Sequence, residues 1–147
     1  MKTFDVIALG ELNVDLILNR IAGFPEVGKE IFARDMICTL GSSTAIFAAN
    51  VSALGARTAF AGMIGRDAFG ELVRGSLEAR GVDTRYVIEA ADRATGVTVV
   101  MSYGEDRANV TYPGAMEALR FADLDPEIFL SSQLSSGGVE LFQFRFM

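Results

Sequence analysis

Apolar and polar positions follow two regimes along this chain. In the first, short apolar runs alternate with amphipathic stretches. Phe4-Asp5-Val6-Ile7-Ala8-Leu9 is a brief run closed by Gly10. Its length and its β-branched residues predict a strand buried on both faces, as in parallel sheets. Thr58 to Ile64 repeats that pattern, punctuated by Gly62 and Gly65. Between the two runs, Gly41-Ser42-Ser43-Thr44 sets capping residues ahead of an Ala-rich segment reaching Leu54, with Gly55 placed to end it. This predicts a helix. Asp67 is placed to cap a second helix running to about Arg80 and ended by Gly81. Its Phe69, Leu72, Val73, Ser76 and Leu77 fall on one face at helical spacing. Strand, helix, strand, helix in that order predicts an α/β sheet with parallel strands.

The second regime begins near Tyr86. Tyr86-Val87-Ile88, Gly96 to Tyr103 and Asn109 to Tyr112 are short strand-like runs, with Gly104-Glu105-Asp106 as the turn between the last two. A hairpin of this kind does not suit the middle of a doubly wound sheet. It predicts a small separate β layer, shared with the Lys29–Leu40 segment, which reads as one or two exposed strands from Glu30 onward. Asp123 to Phe129 predicts a short helix with Pro126 near its first turn. Phe142, Phe144 and Phe146 alternate with Gln143 and Arg145 near the end of the chain, a strand pattern.

Composition narrows the function. A chain of 147 residues fits one domain. Half of its residues are apolar, yet no apolar run reaches the ~18 residues of a membrane span, and Asp5 interrupts any signal-peptide core. The expectation is a cytoplasmic protein. The net charge of −6 disfavours binding to nucleic acid or an anionic membrane. The single Cys38 offers no internal disulfide and no paired thiolates for zinc. The absence of histidine removes Ser-His-Asp and Cys-His nucleophile systems and H-E-x-x-H zinc sites.

Three segments carry candidate chemistry. Gly23 to Lys29 comes close to the phosphate-binding loop G-x-x-x-x-G-K-[ST], but Glu30 stands where a hydroxyl should hold Mg²⁺. The residues that follow read as a strand and not as the helix such a loop requires. We read a Pro-Gly turn. Gly10-Glu11-Leu12-Asn13-Val14-Asp15 is more informative. It follows the first strand, where ligands bind in open α/β sheets. Asn13 and Asp15 point the same way if the backbone stays extended. A carboxylate beside an amide suits vicinal hydroxyls, although Asp15 could equally cap a turn. The third segment is Gly41-Ser42, where a glycine-led helix start lets backbone N–H groups approach a polar ligand; an ordinary helix cap explains it as well.

Taken in order, these residues resemble the ribokinase-like carbohydrate kinases, the PfkB family. Gly10-Glu11 through Asp15 is similar to the family's first sugar-binding segment. Ala48, Gly55 and Gly65 match the second half of its N-terminal signature. Gly65-Arg66-Asp67-Ala68-Phe69-Gly70 is similar to its G-x-D-x-F-G stretch. Tyr112-Pro113-Gly114-Ala115 followed by Leu124-Asp125-Pro126 resembles the passage leaving its lid. The resemblance covers about residues 4 to 130. It implies a three-layer α/β sheet with helices on both faces and a small β lid, built from segments of about 16–40 and 95–113. It also implies a substrate site in which Asp15 binds sugar hydroxyls with Asn13 beside it, lined by the Gly41-Ser42 backbone and by Ile46. The phosphate donor would be ATP with Mg²⁺, the acceptor a sugar or nucleoside hydroxyl, and the lid a possible homodimer contact.

The chain departs from the family in three places. Ser42 replaces a second glycine, and Ile46 replaces an asparagine expected to touch the substrate. The catalytic Asp, the D-T-x-G-A-G-D anion hole and the nucleotide pocket of the family's C-terminal half are not found. We therefore expect a truncated kinase: the sugar-binding part, with no catalytic, cofactor-binding or metal-binding residue of its own and no activity alone. The alternative is a non-catalytic sugar-binding domain or a lid-mediated dimerisation domain.

Overall fold

The structure is a computed structural model and describes residues 4–128 and 141–142. Its strands are β1 (Val6–Leu9), β2 (Asn13–Asn19), β3 (Asp35–Leu40), β4 (Thr58–Gly65), β5 (Asp83–Ala90), β6 (Gly96–Tyr103), β7 (Asp106–Tyr112) and β8 (Leu141–Phe142). Its helices are α1 (Ser43–Ala53) and α2 (Ala68–Glu78), followed by 3-10 turns at Gly114–Glu117 and Phe121–Asp123.

The strands form two sheets. The first has the order β5-β4-β1-β8, and all three pairings are parallel. Every position of β4 is buried, which is why its sequence shows no alternation. Its side chains still alternate between two cores. Phe60 and Ile64 join Ala8, Ala48, Val73 and Leu77 under α1 and α2. Ala59 and Ala61 join Ile7, Phe4, Leu124 and Ile128 on the opposite face. α1 and α2 thus cover one face of the parallel sheet, and the segment that carries Leu124 and Ile128 covers the other.

The second sheet has the order β3-β2-β6-β7. β2 pairs antiparallel with β3 and parallel with β6, and β6 pairs antiparallel with β7. The hairpin therefore joins β2 and not the parallel sheet. Register puts Asp15, Thr98 and Thr111 in one row, on the same face as Asn13 two residues earlier. The neighbouring row, Leu16 with Cys38, Val99 and Val110, lies on the other face. One side of this sheet is thus largely polar and the other apolar, with Met36, Val110 and Tyr112 exposed.

The helix ends follow local chemistry. Ser42 caps α1, its side chain accepting from the Ala45 N–H, and Gly55 follows the helix at φ 98°. Asp67 caps α2. Phe69 remains at the rim, 37% exposed, and does not share the buried face of Val73 and Leu77.

Two expectations need correction. Glu30 to Arg34 is not a strand, because β2 and β3 pair only as far as Asn19 with Asp35. Arg20 at φ 55° then turns the chain away; beyond the Arg34 N–H, which donates to the Asn19 carbonyl at 3.1 Å, residues 30–33 lie outside the sheet. Asp123 to Phe129 is not one helix. Leu124 is extended at ψ 136°, and the residue before a proline resists helical geometry. The helix starts only at Glu127, whose N–H is held by Asp125 at 2.9 Å. Phe129 lies outside the described residues, as do Phe144 and Phe146 of the terminal strand pattern. Among the described residues, no helix is long and apolar enough to cross a membrane.

Candidate functional site

A cleft of about 940 Å³ opens between the two sheets at the C-terminal end of β1, with Leu9, Gly10 and Glu11 in its wall. After Leu9 the chain crosses from the parallel sheet into β2. This places Asn13 and Asp15 at the junction, and both line the cleft. Asn13 is 5% exposed, so its amide must be satisfied internally. Its Nδ2 donates to Asp15 Oδ1 at 3.0 Å and to Thr98 Oγ1 at 3.1 Å. The Thr98 and Thr111 hydroxyls lie 3.0 Å apart. One amide thus fixes a carboxylate and a hydroxyl from two strands in a continuous polar row.

Gly41 lies behind this row. Its N–H donates to the Asn13 carbonyl at 2.9 Å. A Cβ there would sit 2.6 Å from Asn13 Nδ2 and overlap the Asp15 carboxylate. Gly41 does not line the cleft; it is the space that Asn13 and Asp15 need. Ser42 does line it, as do Ser43 and Ile46 from the first turn of α1. Ser42 holds φ 65° and ψ 124°, a backbone region that L-residues with side chains enter at a cost. Ile46 is 42% exposed and gives this wall an apolar patch where an amide was expected.

Burial raises the Asp15 carboxyl above its ordinary value, and the Asn13 hydrogen bond and the Arg107 charge counter this only in part. Its oxygens face the cleft and, when ionised, accept from a ligand hydroxyl. Across the cleft, Thr98, Arg107, Asn109 and Thr111 complete the polar wall. None of these four is among the site residues expected from the sequence. Arg107, Asn109 and Thr111 alternate along β7, so a polar face was readable there, but the pairing of its hairpin partner β6 with β2 was not.

The near-match to a phosphate loop forms no such loop. Gly23 to Glu30 leads into coil, Val27 is fully exposed, and Lys29 pairs with Glu26. Among the described residues, no three His, Cys, Asp or Glu side chains converge to hold a metal ion.

Comparison with known proteins agrees with this geometry. The family described as pfkB family carbohydrate kinase matches residues 3–138. No curated protein sequence matches the chain. Among solved structures, an uncharacterized sugar kinase from Pyrococcus horikoshii in complex with ATP is 26% identical with a TM-score of 0.72, the match covering 84% of this chain and 39% of that one. Halothermothrix orenii fructokinase is 27% identical with a TM-score of 0.71, covering 85% and 42%. Arabidopsis thaliana ribokinase complexed with ribose and ATP is 28% identical with a TM-score of 0.70, covering 77% and 37%. The chain therefore spans about two fifths of the length of these structures.

Proposed function

We propose, for a chain that belongs to the pfkB carbohydrate kinase family, that it carries the sugar-binding half of an ATP-dependent kinase acting on a sugar or nucleoside hydroxyl. The observation that carries this reading is the Asn13–Asp15 pair, held by Thr98 and facing the cleft. Asp15 accepts from substrate hydroxyls, and Asn13 fixes the carboxylate that does so. Ser42 borders the same space, Gly41 behind it leaves room for the pair, and Ile46 packs against an apolar edge of the substrate. The second sheet acts as the lid of this site.

In the whole enzyme, ATP with Mg²⁺ would supply the phosphoryl group. Its transfer requires a phosphate cradle, a held cation and a positioned base. The residues described here do not fit that group: Lys29 is engaged by Glu26, and no side-chain cluster could hold the cation. We assign these roles to the part of the fold that this chain does not span, since it covers about two fifths of the related structures. Binding alone accelerates nothing unless it strengthens in the transition state, so this chain alone is expected to release no ADP. The apolar outer face of the second sheet, with Met36, Val110 and Tyr112 exposed, supports a homodimer joined through the lid. Size-exclusion chromatography with light scattering tests that contact.

Calorimetric titration of the intact protein with pentoses, hexoses and nucleosides tests the main reading. At least one should bind with roughly millimolar or tighter affinity. Saturable binding by none of them would overturn it.

A further inference from the structure

Asp67 does more than cap α2. Its Oδ1 accepts from the Gly70 N–H at 2.8 Å, which is the helix cap. The same oxygen accepts from the Thr95 hydroxyl at 2.7 Å, and Oδ2 accepts from the Thr95 backbone N–H at 2.8 Å. Thr95 Oγ1 in turn accepts from the Gly65 N–H at 2.9 Å. Thr95 is 1% exposed, so each of these groups would be costly to leave unpaired. The glycines make the approach possible. A Cβ on Gly65 would lie 2.6 Å from the Thr95 nitrogen, and one on Gly70 would lie 3.1 Å from Thr95 Oγ1. Burial raises the Asp67 carboxyl, but the hydrogen bonds from Thr95 and Gly70 outweigh it and hold the group below its ordinary value.

A cap needs one oxygen, and asparagine serves as well as aspartate there. The second oxygen is used on Thr95, the residue immediately before β6. The consequence lies at the cleft. Gly96 pairs with Asn13, and a Cβ on it would stand 3.3 Å from the Asn13 Cβ. Thr98, on the same strand, pairs with Asp15 and accepts from Asn13 at 3.1 Å. The return of the hairpin is tied at the same point, since the Ala115 N–H donates to the Ala94 carbonyl at 2.8 Å.

We propose that Asp67 is a positioning residue for the substrate site: through Thr95 it fixes the root of β6, and so the Thr98 hydroxyl that aligns Asn13 with Asp15. Its effect on affinity rests on the reading of Asn13 and Asp15 as substrate-binding. Its effect on β6 does not.

The test is Asp67→Asn in the intact protein. Asparagine keeps the cap but sets an NH₂ against the Thr95 N–H. Amide hydrogen exchange is expected to quicken about tenfold or more at 96–99 while the α2 interior at Val73 and Leu77 is unchanged. Affinity for the best-binding sugar should fall about fivefold or more, and Asn13→Ala should then cost less than in the wild type, because the two residues act on one geometry. Thr95→Val should reproduce this pattern and Thr95→Ser should restore the wild-type one, which decides the matter if Asp67→Asn does not fold. Unchanged exchange at 96–99, or equal acceleration in α2, would overturn the proposal whether or not a sugar binds. Quickened exchange at 96–99 with full sugar affinity, or with strictly additive losses, would overturn the positioning role alone.

Discussion

The Asn13 amide nitrogen stands 3.0 Å from Asp15 Oδ1, on the same face of one strand, and it orients a half-buried carboxylate toward the cleft. Because that nitrogen also donates to Thr98, the carboxylate is positioned relative to two strands and not one. The geometry around this pair determines what each nearby substitution should do.

Gly41→Ala should disrupt the pair directly. The added methyl would lie 2.6 Å from Asn13 Nδ2, so Asn13 and Asp15 must shift. Overpacking of this kind costs about 1–3 kcal/mol. The expected result is a folded protein of lower thermal stability whose sugar affinity falls by about tenfold. Calorimetry beside circular dichroism separates the two effects, and wild-type affinity in a folded variant would contradict the assignment.

Ser42→Gly should act in the opposite direction on stability. Ser42 holds φ 65°, a strain of order 1–3 kcal/mol for a residue with a Cβ. Glycine removes it and gives up only a few tenths of a kcal/mol at the cap. A net gain of about 1 kcal/mol, or a few degrees in Tm, is expected. Chemical denaturation checks this, and a loss of stability would show that the side-chain bond to Ala45 dominates.

Sugar affinity should depend on acidity through Asp15. Burial raises its carboxyl above 3.8, and the ionised form is the one that accepts from hydroxyls. Affinity should fall as pH drops through the titration of this carboxyl, with a midpoint above the ordinary carboxylate value. Arg107 opposes the upward shift, so Arg107→Ala should move the midpoint higher; an unmoved midpoint would rule out that contact. The stability signs are opposite for the two aspartates. The raised Asp15 contributes most below its unfolded value and loses that contribution as pH rises through its folded one. The lowered Asp67 stabilises above its unfolded value and loses this as pH falls through its folded one.

The parts legible in the sequence were those whose signal is local. β1 and β4 read as buried strands because both faces are covered, and α1 and α2 read from their caps and glycines. The site was half legible. Asn13, Asp15 and Ser42 follow signals at a strand end and a helix start. Thr98, Arg107 and Thr111 reach the cleft only through the pairing of β2 with β6 and of β6 with β7, and the first of these joins residues 85 positions apart. β2 itself was missed as a strand, because Asn13-Val14-Asp15-Leu16-Ile17-Leu18-Asn19 is polar at its start and then apolar without a break. The tie from Asp67 to Thr95 spans 28 positions, and the sequence showed only its local half, the helix cap.

The central claim is that Asp15 binds a substrate hydroxyl, and the most direct measurement compares wild type and Asp15→Ala. Titration calorimetry on the intact protein, with the sugar or nucleoside that binds it best, reads the difference. Hydrogen bonds to a charged group contribute about 1.5–3 kcal/mol each, so the substitution should weaken binding by about tenfold or more. The variant should remain folded, since Asp15 is only half-buried at the cleft wall. Affinity unchanged within about twofold, in a variant whose unfolding transition matches wild type, would contradict the account.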